Sequence, residues 1–128
     1  MDIANELATY LDNAGFGTVG TDIFVGQIPE DTNGIWVEHI GGQLNNYVPI
    51  EEAALNIFIK STKASTAVIT LNNIKDFIHR MHSTSITNAY VYTFLVIGDV
   101  EDMSRDLEYA REYKLTVQVV YRNTAIIS

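Results

Sequence analysis

Residues 113–121, Tyr-Lys-Leu-Thr-Val-Gln-Val-Val-Tyr, set the strongest constraint on what this chain can become. Tyr113, Leu115, Val117, Val119 and Tyr121 fall on one side of an extended strand. Lys114, Thr116, Gln118 and Arg122 fall on the other, with Val120 the one apolar residue among them. Successive side chains of a strand point to opposite faces. A period of two over this length therefore demands a sheet with one covered face and one face left to water or a partner. Ala53, Leu55, Ile57 and Ile59 repeat the pattern against Ala54, Asn56, Phe58 and Lys60.

Two helical stretches can supply the cover. In the first, over residues 2–14, Asp2 is the N-cap and Ile3, Leu7, Tyr10, Leu11 and Ala14 form one apolar stripe. Gly15 is its C-terminal stop. The second follows Ser61-Thr62 and runs over residues 63–82, with Ala67, Val68, Leu71, Ile74, Ile78 and Met81 as the buried stripe and Phe77 widening it. Further strands are expected over residues 22–28, ended by Pro29, and over 35–40, broken by Gly41-Gly42. Residues 43–51 read as a loop or ragged edge. The order α-β-β-β-α-β-β predicts an α+β domain spanning residues 1–128, with an antiparallel or mixed sheet and both helices on one face. The strand over residues 90–97 is unusual. Val91, Leu95 and Ile97 are expected on one side, Tyr90, Tyr92, Phe94 and Val96 on the other. A strand apolar on both sides is either covered twice or faces a partner.

Composition narrows the function classes. Charged residues make up 19% of the 128, below the typical quarter, which suggests surface covered by something other than water. The net charge of −8 repels phosphate and argues against direct nucleic-acid affinity. There is no cysteine, hence no disulfide framework or thiolate metal site. No apolar run approaches the roughly 20 residues that span a bilayer. Met1 is followed at once by Asp2, without a basic leader, so a soluble chain made in a cytoplasm is expected.

No catalytic, cofactor or metal constellation emerges. The glycine-rich residues 15–21 lack the lysine of a phosphate loop and read as a connector with Phe16 tucked into the core. His79 and His82 fall at i, i+3 in the second helical stretch, without the further ligands zinc requires; His39 stands apart. Asp99, Glu101, Asp102, Asp106 and Glu108 lack the spacing of a calcium loop and read as a solvated acidic segment. Arg105, Asp106 and Arg111 are different in kind, because arginine and aspartate form rigid bidentate pairs. Either they make a salt bridge that holds their own hairpin loop, or they clamp a neighbouring subunit.

Four pieces of the sequence resemble the tail terminator proteins of long-tailed bacteriophages. The opening helix leads into Gly15-Phe16-Gly17-Thr18-Val19-Gly20-Thr21-Asp22-Ile23-Phe24 and a strand ending at Pro29. Residues 35–42 resemble that family's strand followed by a glycine pair. Residues 55–61 lead into a helix carrying Ile78-His79-Arg80-Met81-His82. Met103-Ser104-Arg105-Asp106 with Arg111 resembles the family's glycine-arginine-aspartate loop, with Ser104 and Ala110 in place of its glycines.

The resemblance implies a non-enzymatic ring, commonly a hexamer, that caps the finished tail tube and docks it to the head. The implied partners are other copies of the chain, the tail tube protein and a head-completion or stopper protein. Neither a cofactor nor a membrane is implied. DNA would pass through the channel without sequence-specific binding. The place of action would be the virion tail and neck, reached from the host cytoplasm during assembly. In such a ring Arg105, Asp106 and Arg111 are expected at a contact with a neighbouring subunit or the tail tube. The acids Glu30, Asp31, Glu51, Glu52, Asp99, Glu101 and Asp102 are candidates to line the channel, where like charge keeps the DNA backbone from adhering. The alternatives are a head-completion or stopper protein of the neck, and a small-molecule-binding regulatory α+β domain.

Overall fold

The first helix shows how closely local sequence dictates local structure. The Asp2 carboxylate accepts a hydrogen bond from the Ala4 N–H at 3.0 Å and caps α1, Ile3–Asn13. At the far end Gly15 adopts φ +92°, and the N–H groups of Gly15 and Phe16 donate to the carbonyls of Asp12 and Leu11. This paired closure is the Schellman motif, which needs a residue free of the left-handed penalty at Gly15. It also turns Phe16 back onto the core, where its ring meets Phe77 at 5.5 Å.

The structure, a computed structural model, describes residues 2–28, 32–44, 50–61, 63–79, 82–86, 89–103 and 111–123. After α1 come β1 (Ile23–Val25), β2 (Gly34–Leu44), β3 (Glu51–Ser61), α2 (Ala64–His79), β4 (His82–Ile86), β5 (Ala89–Asp102) and β6 (Arg111–Asn123). The strands form one sheet in the order β1-β2-β3-β6-β5-β4. All neighbours are antiparallel except β1 and β2, so the sheet is mixed. The first three strands build one half of it and the last three the other, joined where β3 pairs with β6.

The alternation in β3 and β6 decides which face is covered. Leu55 lies opposite Val117, and Ile57 opposite Leu115; all four are fully buried. Both helices pack on this face, α1 through Ile3, Leu7 and Leu11, α2 through Ala67, Leu71, Ile74 and Ile78. Each large aliphatic side chain removed from water there stabilises the fold by roughly 1.5–3 kcal/mol. The α+β class, the mixed sheet and the placement of both helices on one face are as the sequence predicts.

Several boundaries differ. α2 ends at His79, and residues 82–86 form an additional strand, β4. His79 and His82 therefore do not share a helix face. β2 continues through Gly41-Gly42 to Leu44, with a register shift between His39 and Gly41 in place of a break. The first strand is confined to Ile23–Val25, and β5 runs five residues past Ile97 to Asp102.

The largest difference lies in β5. Its register against β6 slips between Val91 and Thr93, so Tyr92 is an extra residue. One inserted residue reverses the facing of everything beyond it. Val91, Phe94 and Val96 consequently point into the core, and Leu95 and Ile97 point outward on the same side as Tyr90. The expected grouping of Val91 with Leu95 and Ile97 is thus wrong. A second slip, between Ile97 and Glu101, sets residues 98–100 against a single residue of β6.

Candidate assembly surface

With both helices on one face, the other face of the sheet carries no helix among the described residues. Register lines its side chains into rows across the strands. One row runs from Phe24 through Trp36, Phe58 and Lys114 to Glu101. Trp36 and Phe58 stack at 4.7 Å with an interplanar angle of 9°. Lys114 closes the row with an ion pair to Glu101 at 3.3 Å. The next row runs Glu38, Asn56, Thr116 and Ile97, and the Thr116 hydroxyl donates to Asn56 Oδ1 at 2.8 Å. Beyond it lie Ala54, Gln118 and Leu95.

The centre of this face is therefore neutral, and the charges stand at its margin. Leu95 and Ile97 are 58% and 49% exposed. Earlier in β5 Tyr90 meets Tyr92 edge-on at 5.1 Å, and the Arg122 guanidinium lies 5.5 Å from the Tyr90 ring. A neutral, partly apolar centre with a charged rim is the anatomy of a protein–protein contact. β5 adds an edge. β4 pairs with it only as far as Thr93, so among the described residues the rest of β5 has a strand on the β6 side alone. Unpaired strand edges are templates for pairing with another chain.

Among the described residues the candidate channel acids fall in two groups. Glu51 and Glu52 begin β3, opposite Tyr121 and Val120. Glu101 and Asp102 end β5, opposite Lys114 and Tyr113. Those levels are six to eight residues apart along β6, roughly 20–27 Å at about 3.3–3.4 Å per residue. Asp99 lies at the second group's end, in the β5 irregularity, and takes Lys75 of α2 in an ion pair at 3.2 Å. The Val100 N–H and then Lys75 hold its carboxyl below the usual range. Glu30, Asp31, Arg105 and Asp106 lie outside the described residues. Arg111 opens β6 opposite Ser61, and its side chain lies outside them too. Among the described residues no group of three or more His, Cys, Asp or Glu stands together as a metal site. Likewise no described helix is long and apolar enough to cross a membrane.

The pattern of the bacteriophage tail terminator proteins matches residues 10–123, nearly the whole chain. The chain belongs to that family. It is a structural protein of the virion tail. The chain is also similar in fold to a chain from a solved structure described as the virion of a native gene transfer agent particle. The TM-score is 0.58 over 94% of this chain and 96% of that one, at 10% identity. No curated protein matches the sequence of this chain. The bulge at Tyr92, which leaves Leu95 and Ile97 exposed, has no signature in a strand whose residues are apolar on both sides.

Proposed function

We infer that this chain forms a ring of identical subunits, six by family precedent, that caps the tail tube, ends its elongation and presents a docking surface to the head. The observation that carries this reading is the family match over residues 10–123. The neutral outer sheet face and the β5 edge supply the surfaces such a ring requires. The role is architectural and non-enzymatic. The partners are other copies of the chain, the tail tube protein and a head-completion or stopper protein, met in the host cytoplasm during assembly. DNA leaves through the channel. Acids at both ends of the sheet, Glu51 and Glu52 at one and Asp99, Glu101 and Asp102 at the other, would give that channel two separate negative levels.

Particles assembled without this chain test the reading. Tails longer than normal and unjoined to heads are the expected result, with addition of the purified protein restoring joining. Tails of normal length, or a chain present as one copy per particle, would contradict it.

A further inference from the structure

Charge is distributed unequally along the sequence, and the topology turns that inequality into a spatial one. All eight lysines and arginines fall at or after residue 60, whereas nine of the sixteen acids fall before it. The strand order β1-β2-β3-β6-β5-β4 places the strands of the first part on one side of the sheet and those of the second part on the other. Helix α1 packs chiefly against β1 and β2, with a smaller contact to β4, and α2 packs against β5, β6 and β3. One side of the subunit is thus acidic with no basic residue before Lys60, at the end of β3. Among the described residues the other holds Lys63, Lys75, Lys114 and Arg122 in near balance with its acids.

Exposed apolar residues fall on both sides. Val19 and Ile40, 39% and 46% exposed, stand beside β1 and in β2. Leu95 and Ile97 stand on β5, next to its unpaired edge. We propose that neighbouring copies of this chain meet head-to-tail, the acidic β1–β2 side of one against the β5–β6 side of the next, with Leu95 and Ile97 as the apolar anchors. Two acidic sides repel one another, so a contact between two β1–β2 sides is electrostatically disfavoured. A contact between unlike surfaces repeats around a ring, whereas a contact between like surfaces stops at a dimer. This inference rests on the ring reading above and specifies which sides meet.

The test mixes unlabelled with ¹⁵N-labelled protein, in concentrated solution and in assembled particles, and couples carboxylates to amines with a zero-length cross-linker. Mixed-isotope peptides report contacts between copies only. Links from Lys63, Lys75 or Lys114 to acids at or before Glu52 are expected. Mixed-isotope links from these lysines confined to acids within residues 60–123, or self-association that yields no lysine link between copies at all, overturn the head-to-tail pairing and leave the ring reading standing. An absence of any association in both settings overturns both. A second arm uses a Leu95→Asp/Ile97→Asp double variant and an Ile40→Asp variant, all at exposed positions that leave the Tm unchanged. Each alone self-associates roughly 30-fold more weakly, the factor expected of a lost interface anchor. Mixed one to one, they form a heterodimer through the one intact pair of sides. Normal self-association of Ile40→Asp beside a defective Leu95→Asp/Ile97→Asp variant would instead indicate a contact between like sides and overturn the proposal.

Discussion

Tyr121 stands directly opposite Glu51 across the β3–β6 pair, and its hydroxyl donates a hydrogen bond to the Glu51 carboxylate. Burial of the phenol, the charge and hydrogen bond of Glu51, and the charge of Asp2 push its pKa up from 10.0 to about 12. The folded chain therefore keeps this proton to higher pH than the unfolded chain does. The stability tied to it is intact below pH 10 and is lost as pH rises from about 10 to about 12. Tyr121→Phe removes the titration. Its Tm should fall less steeply than that of the wild type across that window, while at neutral pH it loses one hydrogen bond, about 1 kcal/mol. Identical slopes for the two proteins would show that Glu51 does not hold this proton.

Gly34 fixes the edge strand. A Cβ built on it would lie 2.6 Å from the Asp22 carbonyl oxygen, the group that accepts from the Ile35 N–H at 2.7 Å. The obstacle is backbone and cannot swing aside. Gly34→Ala should push β1 off β2 and destabilise the protein by about 1–3 kcal/mol, the range for overpacking a close contact. Chemical denaturation gives the loss, and amide exchange should localise it to residues 23–25 and 35–37. Unchanged protection at those amides would mean that β1 holds its place by other contacts.

Where one periodicity dominates, the sequence announces its structure. The alternation of residues 113–121 and 53–59 predicts the facing of β6 and β3, because each strand has one polar and one apolar side. Asp2 and Gly15 likewise predict the ends of α1, since capping depends on single residues. β5 offers no such contrast. With apolar residues on both sides, either register is compatible with its composition, and the bulge at Tyr92 is decided by pairing with β6 and packing under α2. β4 is hidden for a related reason: five residues, His82-Ser83-Thr84-Ser85-Ile86, carry too little pattern to separate them from the end of a helix. The outer sheet face is legible only in part. Its polar residues on β6 can be read from sequence, but the row from Phe24 to Glu101 exists only once five strands are in register.

Ile57 and Leu115 face each other at the centre of the buried layer, both at 0% exposure. Truncating either to Ala should destabilise the protein by about 2–5 kcal/mol through lost transfer energy and the cavity left behind. Because the two are cross-strand neighbours, the double variant should lose less than the sum of the single losses, with a coupling of about 0.5 kcal/mol or more. Strict additivity in denaturant unfolding would mean that the two side chains contribute independently.

Arg105 and Arg111 carry the last prediction. The Met103 N–H donates to the Glu112 carbonyl at 2.8 Å, joining the ends of β5 and β6 on either side of residues 104–110. Six acids, Asp99, Glu101, Asp102, Asp106, Glu108 and Glu112, surround the two arginines in sequence. Of these, Asp99 already takes Lys75 and Glu101 takes Lys114. A pair within a solvated loop contributes under about 1 kcal/mol. The same pair buried at a contact with a neighbouring subunit or the tail tube costs about 2–5 kcal/mol to break, because the leftover charge stays desolvated. Arg105→Ala and Arg111→Ala should therefore leave the Tm of the isolated subunit nearly unchanged and impair assembly, giving tails that overgrow or fail to join heads. Normal assembly with a lowered Tm would identify the pair as an internal brace of its own hairpin.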